Sequence, residues 1–220
     1  MEALGSDRFS YAALNGLDRQ LISYIKTTNG FFIEAGANDG FSQSNTYYLE
    51  RFRNWRGLLI EPIPELYELC RRFRARSIVY NCMLGKRGSD GQSARMYYSD
   101  LMSVAENAVG LATTPLEHAK RGTMYFEGDV FDVIVPVRTL DSILTEIQPA
   151  RIDLLSLDVE GSELDVLDGL DMDMYPPEHI LIETRAREMV DVLLKPRYDL
   201  LACLSCHDYL YRRRSAWISC

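Results

Sequence analysis

Four acidic residues stand where short apolar runs stop. Glu34 follows Phe31-Phe32-Ile33, Glu61 follows Leu58-Leu59-Ile60, Asp158 follows Ile152–Leu157, and Glu183 follows Ile180-Leu181-Ile182. A run of this kind reads as a buried strand. In an open α/β sheet, ligands bind outside the carboxyl ends of the strands, near the point where strand order reverses. The pattern therefore puts four carboxylates along one edge of one cleft. A single acid is an ordinary start to a loop, whereas four at strand ends point to a site. Carboxylates placed there can accept hydrogen bonds from hydroxyls, attract a cation, or take a proton.

The first acid opens the loop Glu34-Ala35-Gly36-Ala37-Asn38-Asp39-Gly40. Glycine supplies positive φ and lets a ligand approach the backbone. Glu61 follows Gly40 by 21 positions, and nucleotide-binding units place an acid about 20 residues beyond the glycine loop to accept from the ribose hydroxyls. The loop departs from the dinucleotide pattern G-x-G-x-x-G. Asn38 and Asp39 would serve a pyrophosphate poorly, although Asn tolerates a left-handed backbone. A ligand with ribose and adenine, no phosphate, and a positive charge for Glu34 to attract suits the loop better. S-adenosylmethionine has those properties.

The surrounding elements are those of an α/β protein. Leu14, Leu17, Leu21 and Ile25 predict a helix ending at Asn29-Gly30, a cover over 1–29. Ser42 or Ser44 caps a helix with Tyr48, Leu49 and Phe52 on its buried stripe. Pro64 opens another, bearing Leu66, Leu69, Cys70 and Phe73, with the basic run Arg71 to Arg76 where the helix dipole favours cations. Ser77 to Cys82 makes a third strand. This β-α-β-α-β order predicts a doubly wound, mostly parallel sheet. The region 84–137 interrupts it, with strands expected at Arg95–Tyr98 and Val133–Val137 and weak periodicity over 101–128, a candidate lid. Regular winding resumes with a helix at Leu140–Ile147, the Ile152 strand, a helix opened by Ser162 with Asp165 as a capping box, the His179–Glu183 strand, a helix at Met189–Leu194, and a closing strand pair, Tyr198–Leu204 and Tyr209–Arg212.

The chain has 220 residues, 47% hydrophobic and 25% charged, with a formal net charge of -8. That length suits one domain. The negative balance disfavours nucleic acid. No apolar run approaches the ~20 residues of a membrane span, and the N-terminus lacks the basic and apolar regions of a signal peptide, so a cytoplasmic location is expected. The five cysteines, an odd number, fit reduced thiols, with Cys203-Leu204-Ser205-Cys206 an incidental pair.

Taken together, the Gly36–Gly40 loop, Leu59-Ile60-Glu61-Pro62, the block Asp158-Val159-Glu160-Gly161-Ser162-Glu163, and Ile180–Glu183 resemble the FkbM-type methyltransferases from about Phe31 to Arg212. The resemblance implies a class I methyltransferase (Rossmann-like) α/β fold with an inserted β/loop region between the third and fourth core strands. It also implies S-adenosylmethionine as methyl donor and a hydroxyl on a sugar or natural product as acceptor. Glu34, Gly36, Ala37, Asn38, Asp39 and Gly40 would hold the methionine part, and Asn45 and Pro62 would also belong to the cofactor-binding set. Glu61 would meet the ribose, and Asn81, Cys82 and Met83 the adenine. Asp158 and Val159 would face the reacting methyl, and the region 84–137 would choose the acceptor.

A hydroxyl acceptor needs a base. Asp158, Glu160 and Glu183 are the candidates. His179 points away from the expected cleft, His118 lies in the unread region, and His207 sits near a strand end; each is read first as structural. Asp158, Glu160 and Glu163 could take a divalent cation, but Glu163 is explained by the helix dipole, so a metal is not favoured. An NAD-dependent oxidoreductase and a non-catalytic nucleotide-binding domain of the same fold are the competing readings. The sequence names neither the acceptor nor the oligomeric state.

Overall fold

A computed structural model describes residues 7, 10–99, 103–108, 111, 113–122 and 130–214. A 3-10 turn at Leu14–Gly16 leads into α1 (Leu17–Tyr24). β1 (Phe31–Ala35), α2 (Tyr47–Phe52), β2 (Arg56–Ile60), α3 (Pro64–Phe73) and β3 (Ile78–Tyr80) follow. Next come β4 (Met83–Leu84), β5 (Ser93–Tyr98), β6 (Val104–Ala105), α4 (Pro115–Gly122) and β7 (Phe131–Arg138). The chain continues through α5 (Leu140–Ile147), β8 (Ile152–Leu157), α6 (Glu163–Asp168), β9 (Pro177–Glu183), α7 (Arg187–Leu194), β10 (Tyr198–Cys203) and β11 (Asp208–Arg213).

Among the described residues the main sheet runs β10-β11-β9-β8-β1-β2-β3, with β9, β8, β1, β2 and β3 mutually parallel. β11 is antiparallel to both β9 and β10. Parallel strands covered on both faces read as continuous apolar runs, and every residue of β8 is buried. Alternate side chains feed two cores. Ile33, Leu58, Ile60, Leu155, Ile180 and Ile182 pack with residues of α5, α6 and α7, whereas Phe32, Leu59, Leu154 and Leu181 pack with residues of α1, α2 and α3. Burying each such side chain fully contributes about 1.5–3 kcal/mol. β1 pairs with β2 on one side and β8 on the other, so strand order reverses there, and the carboxyl ends of β1, β2, β8 and β9 share one edge.

Residues between β3 and β8 form a second sheet, in the order β4-β7-β5-β6, around Met83, Met96, Ala105, Val135 and Val137. Within 101–128, β6 and α4 were not read from the sequence; 101–102, 109–110, 112 and 123–128 lie outside the described residues, so the lid expectation falls partly there.

Several expectations change. The N-terminal helix starts later, because Asn15 (φ 52°) and Gly16 (φ 69°) are left-handed, and it ends at Tyr24. β2 starts at Arg56, ahead of the apolar run Leu58-Leu59-Ile60, and a Cβ on Gly57 would lie 2.4 Å from the Phe32 carbonyl oxygen. Phe73, expected on the buried stripe, is exposed, and Arg74, expected among the helix-end cations, is only 1% exposed. Ser162 makes no side-chain cap bond; Gly161 N–H donates instead to Glu163 Oε1 at 2.8 Å.

Candidate active site

A cavity of about 500 Å³ opens at the shared carboxyl edge of the main sheet. Its sheet side is formed by Gly36 and Asn38 after β1, Glu61 and Pro62 after β2, Cys82 after β3, Asp158, Val159 and Glu160 after β8, Glu183 at the end of β9 and Arg185 just beyond it. Met83, Met96, Ser99 and Ala105 of the second sheet region, with His118 of α4, form the opposite wall.

Glu61 is buried, and each of its carboxylate oxygens accepts one backbone N–H: Oε2 from Asn38 at 2.8 Å and Oε1 from Ile63 at 2.9 Å. Each oxygen keeps a second lone pair. Burial pushes the carboxyl up to about 8, against the lowering effect of the two N–H bonds. Asn81 donates through Nδ2 to the carbonyls of Glu61 and Pro62 at 2.9 and 2.8 Å. It braces this turn and does not line the cavity.

The loop after β1 is built for close approach. Gly36 has φ 80°, and a Cβ there would lie 1.8 Å from the Asp158 carbonyl oxygen. Asn38 adopts φ 49°, the left-handed conformation its side chain tolerates. Asp39 is turned inward on the loop, accepting from the N–H groups of Phe41 and Ser42 and from Ser42 Oγ. Ala37 packs in the α1–α3 core. Neither residue lines the cavity.

Glu34 does not face the cleft. The alternation of β1 puts it on the same face as Phe32, toward the α1–α3 layer. There its carboxylate accepts from Ser44 Oγ, Asn45 N–H and Thr46 Oγ1, and pairs with Arg74 Nη1 at 3.2 Å. Arg74 also pairs with Glu50 through Nε at 3.0 Å and donates to the Gly40 carbonyl at 3.1 Å. A Cβ on Gly40 would press against the Arg74 side chain. This guanidinium ties the glycine loop to the start of α2, and the sequence reading missed it. Asn45 is buried, donates to Ser156 Oγ at 3.2 Å, and leaves Oδ1 unpaired. Glu34, Ala37, Asp39, Gly40, Asn45 and Asn81 thus shape the site from behind, where the sequence reading had them touching the cofactor.

Asp158, Glu160 and Glu183 come together at the other end of the cavity, close to Glu163 and Asp208. Burial, with Glu183, Glu160 and Glu163 beside it, holds Asp158 well above the carboxylate range. Burial and then Asp208 push Glu183 up to about 7, and burial takes Glu163 to about 6. Glu160 stands at φ 47°, with Gly161 following at 91°. His118 is buried against this group, its Nε2 3.1 Å from Glu160 Oε2. The first turn of its helix could have been read: Thr114-Pro115-Leu116-Glu117 is a capping box with proline at the first helical position. His179 lies away from the cavity, its Nδ1 3.2 Å from the Asp153 carbonyl, and His207 does not line it. Among the described residues no three His, Cys, Asp or Glu side chains are grouped to hold a metal ion, and no helix is long and apolar enough to cross a membrane.

A mostly parallel sheet with a glycine loop and a buried acid beside its switch point has the layout of the open α/β folds that bind ligands at the carboxyl ends of their strands. A sequence model of the Methyltransferase FkbM domain matches residues 34–198, and the chain belongs to that family of methyltransferases. It is 28% identical over 229 aligned positions to Methyltransferase sdnD of Sordaria araneosa, across 89% of this chain and 88% of the relative. The crystal structure of a TehB-like SAM-dependent methyltransferase from Corynebacterium glutamicum aligns over 96% of this chain and 91% of its own, with 10% identity and a TM-score of 0.43.

Proposed function

We propose that the chain transfers a methyl group from S-adenosylmethionine to a hydroxyl of a sugar or natural product. The observation that carries this reading is one cavity with Glu61 at one end and the Asp158–Glu183 group at the other. The family implies the cofactor, and the residues fit it. Glu61 keeps a lone pair on each oxygen for the two ribose hydroxyls, and Gly36, whose missing Cβ makes room for the Asp158 carbonyl, brings its backbone to the edge of the cavity. Carboxylates at the far end favour a positive charge. When bound, the cofactor supplies an electrophilic methyl on a cationic sulfur. The chain then has to hold that carbon in line with the acceptor oxygen, exclude water, and take the hydroxyl proton. Asp158, Glu160 and Glu183 border the place where the proton leaves. In this reading the second sheet is an insertion that forms the acceptor wall.

The test is release of S-adenosylhomocysteine from S-adenosylmethionine in the presence of a panel of methyl glycosides and polyols. Turnover on a hydroxyl acceptor is expected. Methylation confined to amines or thiols offered in parallel would overturn the O-methyl reading and leave the cofactor standing.

A further inference from the structure

One nitrogen in the cavity is used neither by the fold nor by the cofactor reading above. His118 is 6% exposed, and its Nε2 is buried without a hydrogen-bond partner among the described residues. Leaving a buried polar atom unpaired costs about 1–3 kcal/mol, so such an atom in a packed wall points to an absent partner. Glu160 Oε2 is 3.1 Å away. It is near enough for charge attraction but off the line a hydrogen bond requires.

Both residues are held where they are by local structure. Glu160 has a left-handed backbone, φ 47°, which costs a non-glycine residue on the order of 1–3 kcal/mol and persists where surrounding structure enforces it. His118 sits in the first turns of α4, where Thr114 Oγ1 accepts from Glu117 N–H at 3.3 Å and Thr114 N–H donates to Glu117 Oε2 at 3.2 Å. Ser99 Oγ donates to the Ala119 carbonyl, fastening the helix to the end of β5. The ring therefore enters the cavity from the second sheet region, opposite the cofactor side, where an acceptor would lie.

We infer that His118 is the general base of the methyl transfer and that Glu160 balances the charge the ring gains. The inference rests on the O-methyl reading of the same site. The acceptor O–H bond breaks and its proton goes to Nε2. The oxygen forms a bond to the methyl carbon as the carbon–sulfur bond breaks, and that electron pair stays on sulfur, leaving a neutral thioether. Nε2 must offer a lone pair, so the resting ring carries its hydrogen on Nδ1. Asp158, Glu163, Glu183 and Arg185 line the same cavity or the small pocket beside it with Glu160. Asp158 and Glu183 repel one another's charge and so compete for one proton, whereas the imidazole carries no like-charge penalty before the step.

Two measurements on the full chain test this. The first is imidazole ¹⁵N NMR with S-adenosylhomocysteine bound, in wild type and in Glu160→Gln. The His118 ring resonances are expected to move, and identical His118 resonances would overturn the pairing. The second is turnover on the glycoside that the panel identifies. His118→Gln should keep the affinity for S-adenosylhomocysteine within about twofold and lower kcat by about 10²–10⁴-fold. His118→Ala should be equally slow, with added imidazole restoring rate at least about tenfold, a response that a merely structural role does not give. A His118→Gln kcat close to wild type, in a protein with unchanged thermal unfolding, would overturn the assignment. Wild-type protein that turns over no hydroxyl acceptor overturns the base together with the O-methyl reading, while the NMR result separately decides the contact.

Discussion

Glu61 shows how one side chain can carry opposing demands. Two backbone N–H groups favour its carboxylate, but burial outweighs them and raises it to about 8. An acid raised above its unfolded value near 4.5 binds more protons folded than unfolded. Its stabilising contribution is fully present below about pH 4.5 and is lost as pH rises through about 8. Glu163 and Glu183, raised to about 6 and 7, act in the same direction. Thermal unfolding of the ligand-free protein should therefore show a higher midpoint at pH 5.5 than at pH 8.5. Glu61→Gln should flatten that slope. It should also cost roughly 1–3 kcal/mol, because one of the two N–H groups loses its acceptor. A midpoint that rises steadily from pH 5.5 to 8.5 would contradict the burial-dominated account. At this scale the strand-end positions of Glu61, Asp158 and Glu183, all of which line the cavity, were legible from residue type and the apolar runs before them. The sequence was misleading for Glu34, because a strand-end acid can fall on either face and only the completed layers decide which.

Elements position these residues through the loop after β1, and Arg74 is the group that fixes the loop. Its guanidinium reaches Glu34 on β1, Glu50 on α2 and the Gly40 carbonyl. Removing one partner of a buried ion pair costs about 3–5 kcal/mol, because the remaining charges stay buried and uncompensated. Arg74→Met leaves two carboxylates in that position, so urea unfolding should show a loss of about 3–5 kcal/mol, with S-adenosylhomocysteine binding weakened as the loop loosens. A loss under about 1 kcal/mol would mean that the network does not hold the loop. The sequence could not show this role. Arg71, Arg72, Arg74 and Arg76 form one basic run at the end of α3, and only packing separates the inward residue from the solvated ones. The wound strands and α5 were legible because their apolar runs are long and well bounded. β6 is two residues long, too short for any period to register, and α4 was hidden by its polar composition, although its capping box was in plain view.

For the whole molecule, the cleft has two walls of different origin. The main sheet supplies Glu61 and the strand-end acids; the segment between β3 and β8 supplies Met96, Ser99 and His118. Cofactor and acceptor recognition should then separate by mutation. Met96→Leu conserves volume in the second sheet and should cost under about 1.5 kcal/mol. Calorimetry should find S-adenosylhomocysteine affinity within about twofold of wild type, while KM for the hydroxyl acceptor changes severalfold by altered packing at that wall. Equal changes in both constants would mean that the walls are not divided in this way. The parallel order of the main sheet could be read from the alternation of apolar runs and helices. The facing wall could not, because it is made by β4 pairing with β7 across more than 50 positions, a contact with no local signature.

If the ribose of S-adenosylmethionine rests on Glu61, that carboxyl should decide which nucleoside ligand binds. Titration calorimetry with S-adenosylhomocysteine and with NAD, on wild type and Glu61→Ala, tests it most directly. S-adenosylhomocysteine should bind wild type, NAD should not bind comparably, and Glu61→Ala should bind S-adenosylhomocysteine at least about tenfold more weakly, the scale of one or two hydrogen bonds. Binding of NAD without S-adenosylhomocysteine, or undiminished S-adenosylhomocysteine affinity in a folded Glu61→Ala, would contradict it.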